Sequence, residues 1–164
     1  MIPHRLIDRV RSERVAILGL RLALGTAFLS AVVDRFGGWG VYGASQVSWG
    51  DFPHFVAYTG TVNSFIPKML VIPVAWVATA AEVILGIGLI AGIYTRLAAC
   101  LSGLLLGAFA LAMSFSLGFK AALNYSVFTA SAAAFLLASV DGLPATGDSR
   151  GGDRAQDESS LIEG

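Results

Sequence analysis

Four long apolar runs separated by short polar breaks dominate the chain. They cover residues 15–33, 70–93, 96–117 and 123–140, and each approaches the roughly 20 residues that an α-helix needs to cross a bilayer. None alternates apolar and polar positions as a half-buried strand would, so the pattern predicts helices that are apolar on all sides. The first run exceeds the roughly 7–15 residues of a signal-peptide core and contains Arg21; it is read as a retained helix.

The polar stretches have their own patterns. Residues 1–14 place Ile2, Leu6 and Val10 at helical spacing among Arg5, Arg9, Arg11 and Arg14, which predicts a short amphipathic segment on an anionic membrane face. Residues 34–69 are rich in Gly and aromatic side chains, including Trp39, Tyr42, Trp49 and Tyr58. Such rings favour the membrane interface. Within this loop Asp51, with Pro53 two positions later, predicts the start of a short interfacial helix. Phe52, Phe55, Val56, Thr59 and Ile66 would fall near one face, and the helix would end before Pro67. A tight turn at 92–96 should separate the second and third spans, with Thr95 capping the third. Residues 141–164 carry Gly, Ser, Asp and Glu without periodicity and are expected to be disordered.

Composition strengthens the membrane reading. The 164 residues are 55% apolar and 13% charged, with mean hydropathy +0.72, whereas a soluble domain carries about 25% charged residues. The expected fold is therefore an all-α integral membrane four-helix bundle spanning 15–140, with the interfacial helix in its first, outer loop. Lys plus Arg equal Asp plus Glu at 11 each, so no basic surface points to nucleic acid. Assigning Arg5, Arg9, Arg11, Arg14, Arg96, Arg150 and Arg154 to one side leaves Arg35, Lys68 and Lys120 on the other. This predicts a multi-pass protein of a prokaryotic cytoplasmic (inner) membrane with both termini cytoplasmic. Gly88xxxGly92, Gly103xxxGly107 and Ala130xxxAla134 supply the small residues that let membrane helices approach.

Two ionisable residues, Arg21 and Glu82, lie well inside the predicted spans. They have opposite charge, and Gly25, Ala78, Thr79 and Gly86 remove bulk beside them, so a contact between them is expected. It could be a buried ion pair that fixes helix register, or a ligand site, the default for ionisable groups within a membrane. As a site, Arg21 and Glu82 with Thr79, walled by Phe28, Trp76 and Leu89, would suit a long-tailed ligand with a carbonyl or hydroxyl head. A quinone or a lipid fits that chemistry.

A second polar group gathers at the outer side: Asp34, Arg35, His54, Tyr58, Lys120 and Tyr125. Solvated helix ends and interfacial anchors explain these, with an Asp34–Lys120 pair as a further option. His54 is the only histidine outside the N-terminus, and without a second histidine or cysteines near it a metal site is not expected. The lone Cys100 excludes an intramolecular disulfide and a CxxC redox pair. No nucleotide-binding loop is present either, the Gly147–Gly152 stretch lacking both spacing and a preceding strand.

Several stretches resemble the DoxX/DoxD family of small four-helix membrane proteins: Arg21 with Gly25 and Phe28, "DRFGGWG" at 34–40, "ATAAEVILGIGLIAGIYTRLAA" at 78–99, and "LNYSVF" at 123–128. The resemblance covers about 15–140, and its most specific part runs from Glu82 through the turn to Arg96. It implies a redox setting, since relatives include the membrane subunit of thiosulfate:quinone oxidoreductase and proteins linked to thiol and oxidative-stress defence. Arg21, Glu82 and Arg96 match the family's characteristic charges. The function expected is thus a membrane subunit or anchor of a redox complex that interacts with quinone, alongside other subunits or copies of itself. A non-enzymatic scaffold or assembly protein is the alternative, and a small-molecule or lipid transporter a weaker one. The residues name no reaction for the chain alone, as they offer neither nucleophile nor metal set.

Overall fold

The computed structural model describes residues 4–140, with side chains from residue 12 onward. Six α-helices follow one another: α1 (His4–Arg35), α2 (Phe52–Val62), α3 (Val71–Ala91), α4 (Thr95–Leu117), α5 (Phe119–Asn124) and α6 (Val127–Val140). A single 3₁₀ turn, Lys68–Leu70, leads into α3. No strand occurs among the described residues. The expected tail at 141–164 and the amphipathic side chains expected before residue 12 lie outside what is described.

Three segments are long and apolar enough to cross a membrane: Ser12–Arg35, Lys68–Ala91 and Thr95–Leu117. The fourth differs from its expected form. The run 123–140 is broken at Tyr125 and Ser126, where Ser126 takes φ +54, so α6 keeps 14 residues and rises only about 21 Å. Its first turn instead belongs to the short α5, folded against the end of α4.

Glycine sets two helix ends. Gly37, at φ +76, closes α1 by donating its N–H to Asp34 O at 3.1 Å while Gly38 N–H reaches back to Val33 O at 2.9 Å. Gly92, at φ +75, closes α3 in the same way, with Ile93 N–H bonded to Gly88 O at 3.0 Å. Both are left-handed closures that an L side chain resists. Thr95 does not cap α4 as expected: it is the first helical residue, and Tyr94 precedes it at φ +47 with no side-chain cap.

Small residues bring the helices together. A Cβ built on Gly25 would lie 2.9 Å from Gly86 O, and one on Gly86 would lie 3.1 Å from Gly25 O. The backbones of α1 and α3 therefore touch at this point. On the other side, the Phe135 ring covers Gly103, and Ser131 donates its hydroxyl to Gly103 O at 2.8 Å, clamping α6 on α4. The core beyond these contacts is built from Leu24, Phe28, Leu85, Leu89, Ala99 and Leu137. A smaller cluster of Val62, Ala112, Met113 and Ala122 joins α2 to α4 and α5.

The antiparallel crossing at Gly25 and Gly86 fixes which levels of α1 and α3 face each other. Arg21 is level with Ile90 and Arg35 with Trp76. The bundle thus has a turn end, where α3 meets α4, and a loop end, where residues 36–51 and α2 close the top.

Candidate functional site

Both helices deliver their charges to the loop end by a simple rule: helical side chains lean toward their own N-terminus. Arg35, at the last position of α1, leans down into the bundle. Glu82 on antiparallel α3 leans up toward it. They meet. Arg35 Nη2 donates to Glu82 Oε1 at 2.8 Å and lies 2.7 Å from Oε2, and both side chains are only 3% exposed. Arg35 Nη1 donates to Thr79 Oγ1 at 2.9 Å, and that hydroxyl in turn donates to Ala75 O at 2.8 Å.

Arg21 obeys the same rule with the opposite result. It leans toward the turn end, away from Glu82, and the expected Arg21–Glu82 contact does not form. Arg21 Nε instead donates to Leu89 O at 2.9 Å and Nη2 to Ile90 O at 3.4 Å. These carbonyls in the last turn of α3 lack helical partners, and a cation there also opposes the helix dipole. Gly92 makes the approach possible, since a Cβ there would collide with the Arg21 guanidinium.

The loop forms an aromatic roof over the Arg35 centre. Asp51 caps α2 as expected, Oδ1 accepting from His54 N–H at 2.9 Å. This local bond holds the Asp51 carboxyl below its usual range, the His54 ring adding to it. Capping directs Phe55 inward, where its ring centroid lies 3.7 Å from Arg35 Cζ. Trp49 lies 5.2 Å from the same carbon and packs edge-on against Phe55 at 5.2 Å. Tyr58 leans on Trp49 at 5.9 Å, and burial pushes its phenol above the usual range. Cation–π contacts of this kind are strongest when desolvated, and here they replace the water that Arg35 has lost.

Asp34 and Arg35 are not a solvated helix end: they are 5% and 2% exposed. Asp34 Oδ2 accepts the backbone N–H groups of Ser48 at 2.9 Å and Trp49 at 3.1 Å. The carboxylate therefore holds the loop down and sets Trp49 over Arg35. Lys120, the partner considered for it, is exposed. Three buried polar atoms of this layer lack a hydrogen bond: Asp34 Oδ1, Arg35 Nε and Glu82 Oε2. The last touches Nη2 as an ion pair but off the hydrogen-bond direction.

The remaining sequence candidates scatter. Thr79 joins the centre, while Phe28 is buried in the apolar core toward the turn end. Trp76 is half exposed and packs on Phe52 at 4.3 Å between centroids. His54 stacks on Tyr42 at 3.7 Å and pairs with Asp51 at 2.8 Å. Arg96 and Tyr125 are exposed. A groove of about 520 Å³ runs beside the centre along α1, with Ala27, Ala31, Asp34, Trp39, Gln46 and Trp49 on its walls.

The DoxX family model matches residues 16–116, from the first span through nearly all of α4 and including Arg21, Arg35, Glu82 and the roof. The chain belongs to the DoxX family. No curated protein and no solved structure matches it. As a DoxX protein with three helices of membrane-crossing length and a shorter apolar fourth, it is a multi-pass membrane protein in contact with lipid.

Proposed function

We propose that this DoxX protein is the membrane subunit or anchor of a redox complex and that quinone is handled at its loop end, around Arg35, Glu82 and Thr79. The observation that carries the reading is the incompletely satisfied polar layer under the aromatic roof. A guanidinium and two carboxyl groups are buried in an apolar bundle, yet each retains one atom without a hydrogen-bond partner. Buried charges are costly within a membrane and mark ligand or proton paths by default. A quinone carbonyl accepts hydrogen bonds and its reduction takes up protons. Arginine supplies the donor and glutamate a proton acceptor, within a setting of aromatic and apolar side chains. Sulfur chemistry of the thiosulfate or thiol type would belong to a partner subunit, because this chain has one cysteine.

In this reading both termini face the cytoplasm of a prokaryotic cell, with the bundle in its inner membrane. Burial of Arg35 supports this orientation, since it leaves Lys68 and Lys120 as the loop-end basic residues against the arginine-rich opposite side.

The test is the quinone content of protein purified in mild detergent, by mass spectrometry of the extract, followed by titration with a short-tailed quinone. Arg35→Gln/Glu82→Gln keeps an uncharged hydrogen-bonding pair and avoids an unpaired buried charge. Wild-type protein should carry or rebind quinone, and the folded double variant should hold at least about tenfold less, as expected on losing a charge-assisted hydrogen bond. Equal quinone in both, or no binding by either, rejects the reading. In the second case the scaffold alternative moves ahead, for which the exposed loop aromatics Phe36, Trp39 and Tyr42 offer the surface.

A further inference from the structure

The groove along α1 has features that the Arg35 centre does not use. Asp34 closes one end of it. Ala27, about two turns below Asp34, and Ser30 are exposed on the same face of a membrane-crossing segment. The groove therefore leads from the lipid-facing surface of α1 up to a buried carboxylate. Its volume of about 520 Å³ is within the range of small-molecule sites.

Three observations define what would fit. The first is the acceptor. Asp34 is 5% exposed, its Oδ2 is fully engaged by two loop N–H groups, and its Oδ1 has no partner. A carboxylate in the last turn of a helix opposes the dipole, and the buried layer holds two carboxyl groups for one guanidinium. Asp34 Oδ1 is thus an acceptor left without a donor. The second is shape: Trp39 and Trp49 both line the groove. Trp39 is fixed there by donation of Nε1 to Ser30 O at 3.1 Å and Oγ at 3.2 Å, and Trp49 by the tie to Asp34. Flat aromatic walls suit a flat ring. The third is the small-residue floor of Ala27 and Ala31, which leaves room for an apolar tail running along α1 within the bilayer.

We infer that this groove binds the reduced, hydroxyl-bearing ring of a quinol, with a ring hydroxyl donating to Asp34 Oδ1 between Trp39 and Trp49. The inference rests on the quinone reading above for the ligand's class and adds a distinct docking position and a preference for the reduced form. An oxidised ring has only carbonyl acceptors to offer and would face a carboxylate acceptor. Trp49 is shared by the groove and the Arg35 roof, so a bound ring would lie next to the Arg35–Glu82 pair without entering it.

The experiment titrates full-length protein in phosphatidylcholine nanodiscs, a lipid without a donor head, with a short-tailed benzoquinol under anaerobic reductant and separately with its quinone. Quinol should bind at least about tenfold more tightly than quinone, the difference expected for one hydrogen bond to a buried charged acceptor. Asp34→Asn provides the sharpest test. The Ser48 and Trp49 N–H groups will hold the amide oxygen, which turns the NH₂ donor toward the groove, so the preference should invert in favour of quinone. A role confined to anchoring the loop would weaken both ligands equally. Ala27→Leu fills the exposed mouth of the groove without touching the buried layer, and should abolish quinol binding in a protein that still folds.

Failure here and failure of the broader reading look different. Quinone binding that depends on Arg35 and Glu82 but ignores Ala27→Leu and Asp34→Asn overturns the groove and keeps the redox subunit. A groove that retains phosphatidylethanolamine, lost on Ala27→Leu and not displaced by quinol, overturns the quinol assignment. Quinol and quinone binding equally to wild-type protein also overturns it.

Discussion

Arg21 and Arg35 lie on nearly the same face of α1, about four turns apart, and both reach across to α3. At the turn end, Arg21 finds two backbone carbonyls that α3 could not satisfy itself. At the loop end, Arg35 finds a carboxylate, a hydroxyl and two aromatic rings. The first contact completes a helix terminus and leaves the guanidinium partly exposed. The second buries opposite charges and still leaves polar atoms unmatched. One residue type on one helix thus acts as a structural cap at one end and assembles a chemically incomplete layer at the other. Which it does is decided by what the antiparallel partner presents at that level.

The largest effect expected from breaking this contrast is at the loop end. Arg35→Leu would strand the Glu82 carboxyl in the bundle and should destabilise the protein by about 3–5 kcal/mol, the range for removing one partner of a buried pair. Unfolding in mixed micelles measures it. Adding Glu82→Leu should recover most of that loss, because replacing both charges by apolar groups of similar volume is close to neutral. A double variant as unstable as Arg35→Leu would show that Arg35 acts mainly through its contacts with Phe55, Trp49 and Thr79.

A smaller, local loss is expected at the turn end. Arg21→Leu frees two carbonyls of α3, and charge-assisted bonds of this kind contribute roughly 2 kcal/mol in total. Amide exchange should accelerate in the last turn of α3 and at Gly92–Ile93, with the Arg35 layer unaffected. Equal acceleration at both ends would mean that the two arginines act as one cooperative unit.

The unequal legibility of these ends has a physical cause. Apolar run length identified the three membrane-crossing helices, and the Asp51–Pro53 pattern located α2, because both signals are local. The small residues Gly25 and Gly86 also marked the true α1–α3 contact. Opposite charge and the small residues beside each favoured Arg21 for Glu82, but neither signal carries the direction in which each side chain leaves its helix. Across antiparallel helices these directions converge for Arg35 and Glu82 and diverge for Arg21 and Glu82. Arg35 resembled a solvated terminus because what buries it, Trp49 of the loop and Phe55 of α2, lies more than ten residues further along the chain. That loop is held by Asp34 through backbone N–H groups of Ser48 and Trp49, a contact with no signature in residue type. The break at Tyr125–Ser126 was hidden for a related reason: both flanking segments are apolar, and hydropathy does not register a backbone turn.

The smallest effect separates the two ends by pH. Asp51 starts α2, and the His54 N–H that it accepts holds its carboxyl below the usual range. A depressed folded-state pKa means that the cap's contribution is fully present above the unfolded value of about 4. It is lost as pH falls through the lower, folded value. Acid should therefore loosen the first turn of α2, lifting Phe55 from Arg35, while the Arg21 cap has no carboxylate to protonate. Amide exchange across His54 and Phe55 should lose protection as pH drops below about 4, after correction for intrinsic exchange, and Gly92–Ile93 should not follow. Asp51→Asn should remove most of this pH dependence and keep the helix start, since asparagine caps nearly as well as aspartate. If the acid response persists in Asp51→Asn, the group that titrates is not the α2 cap, and the assignment of the pH dependence to Asp51 fails.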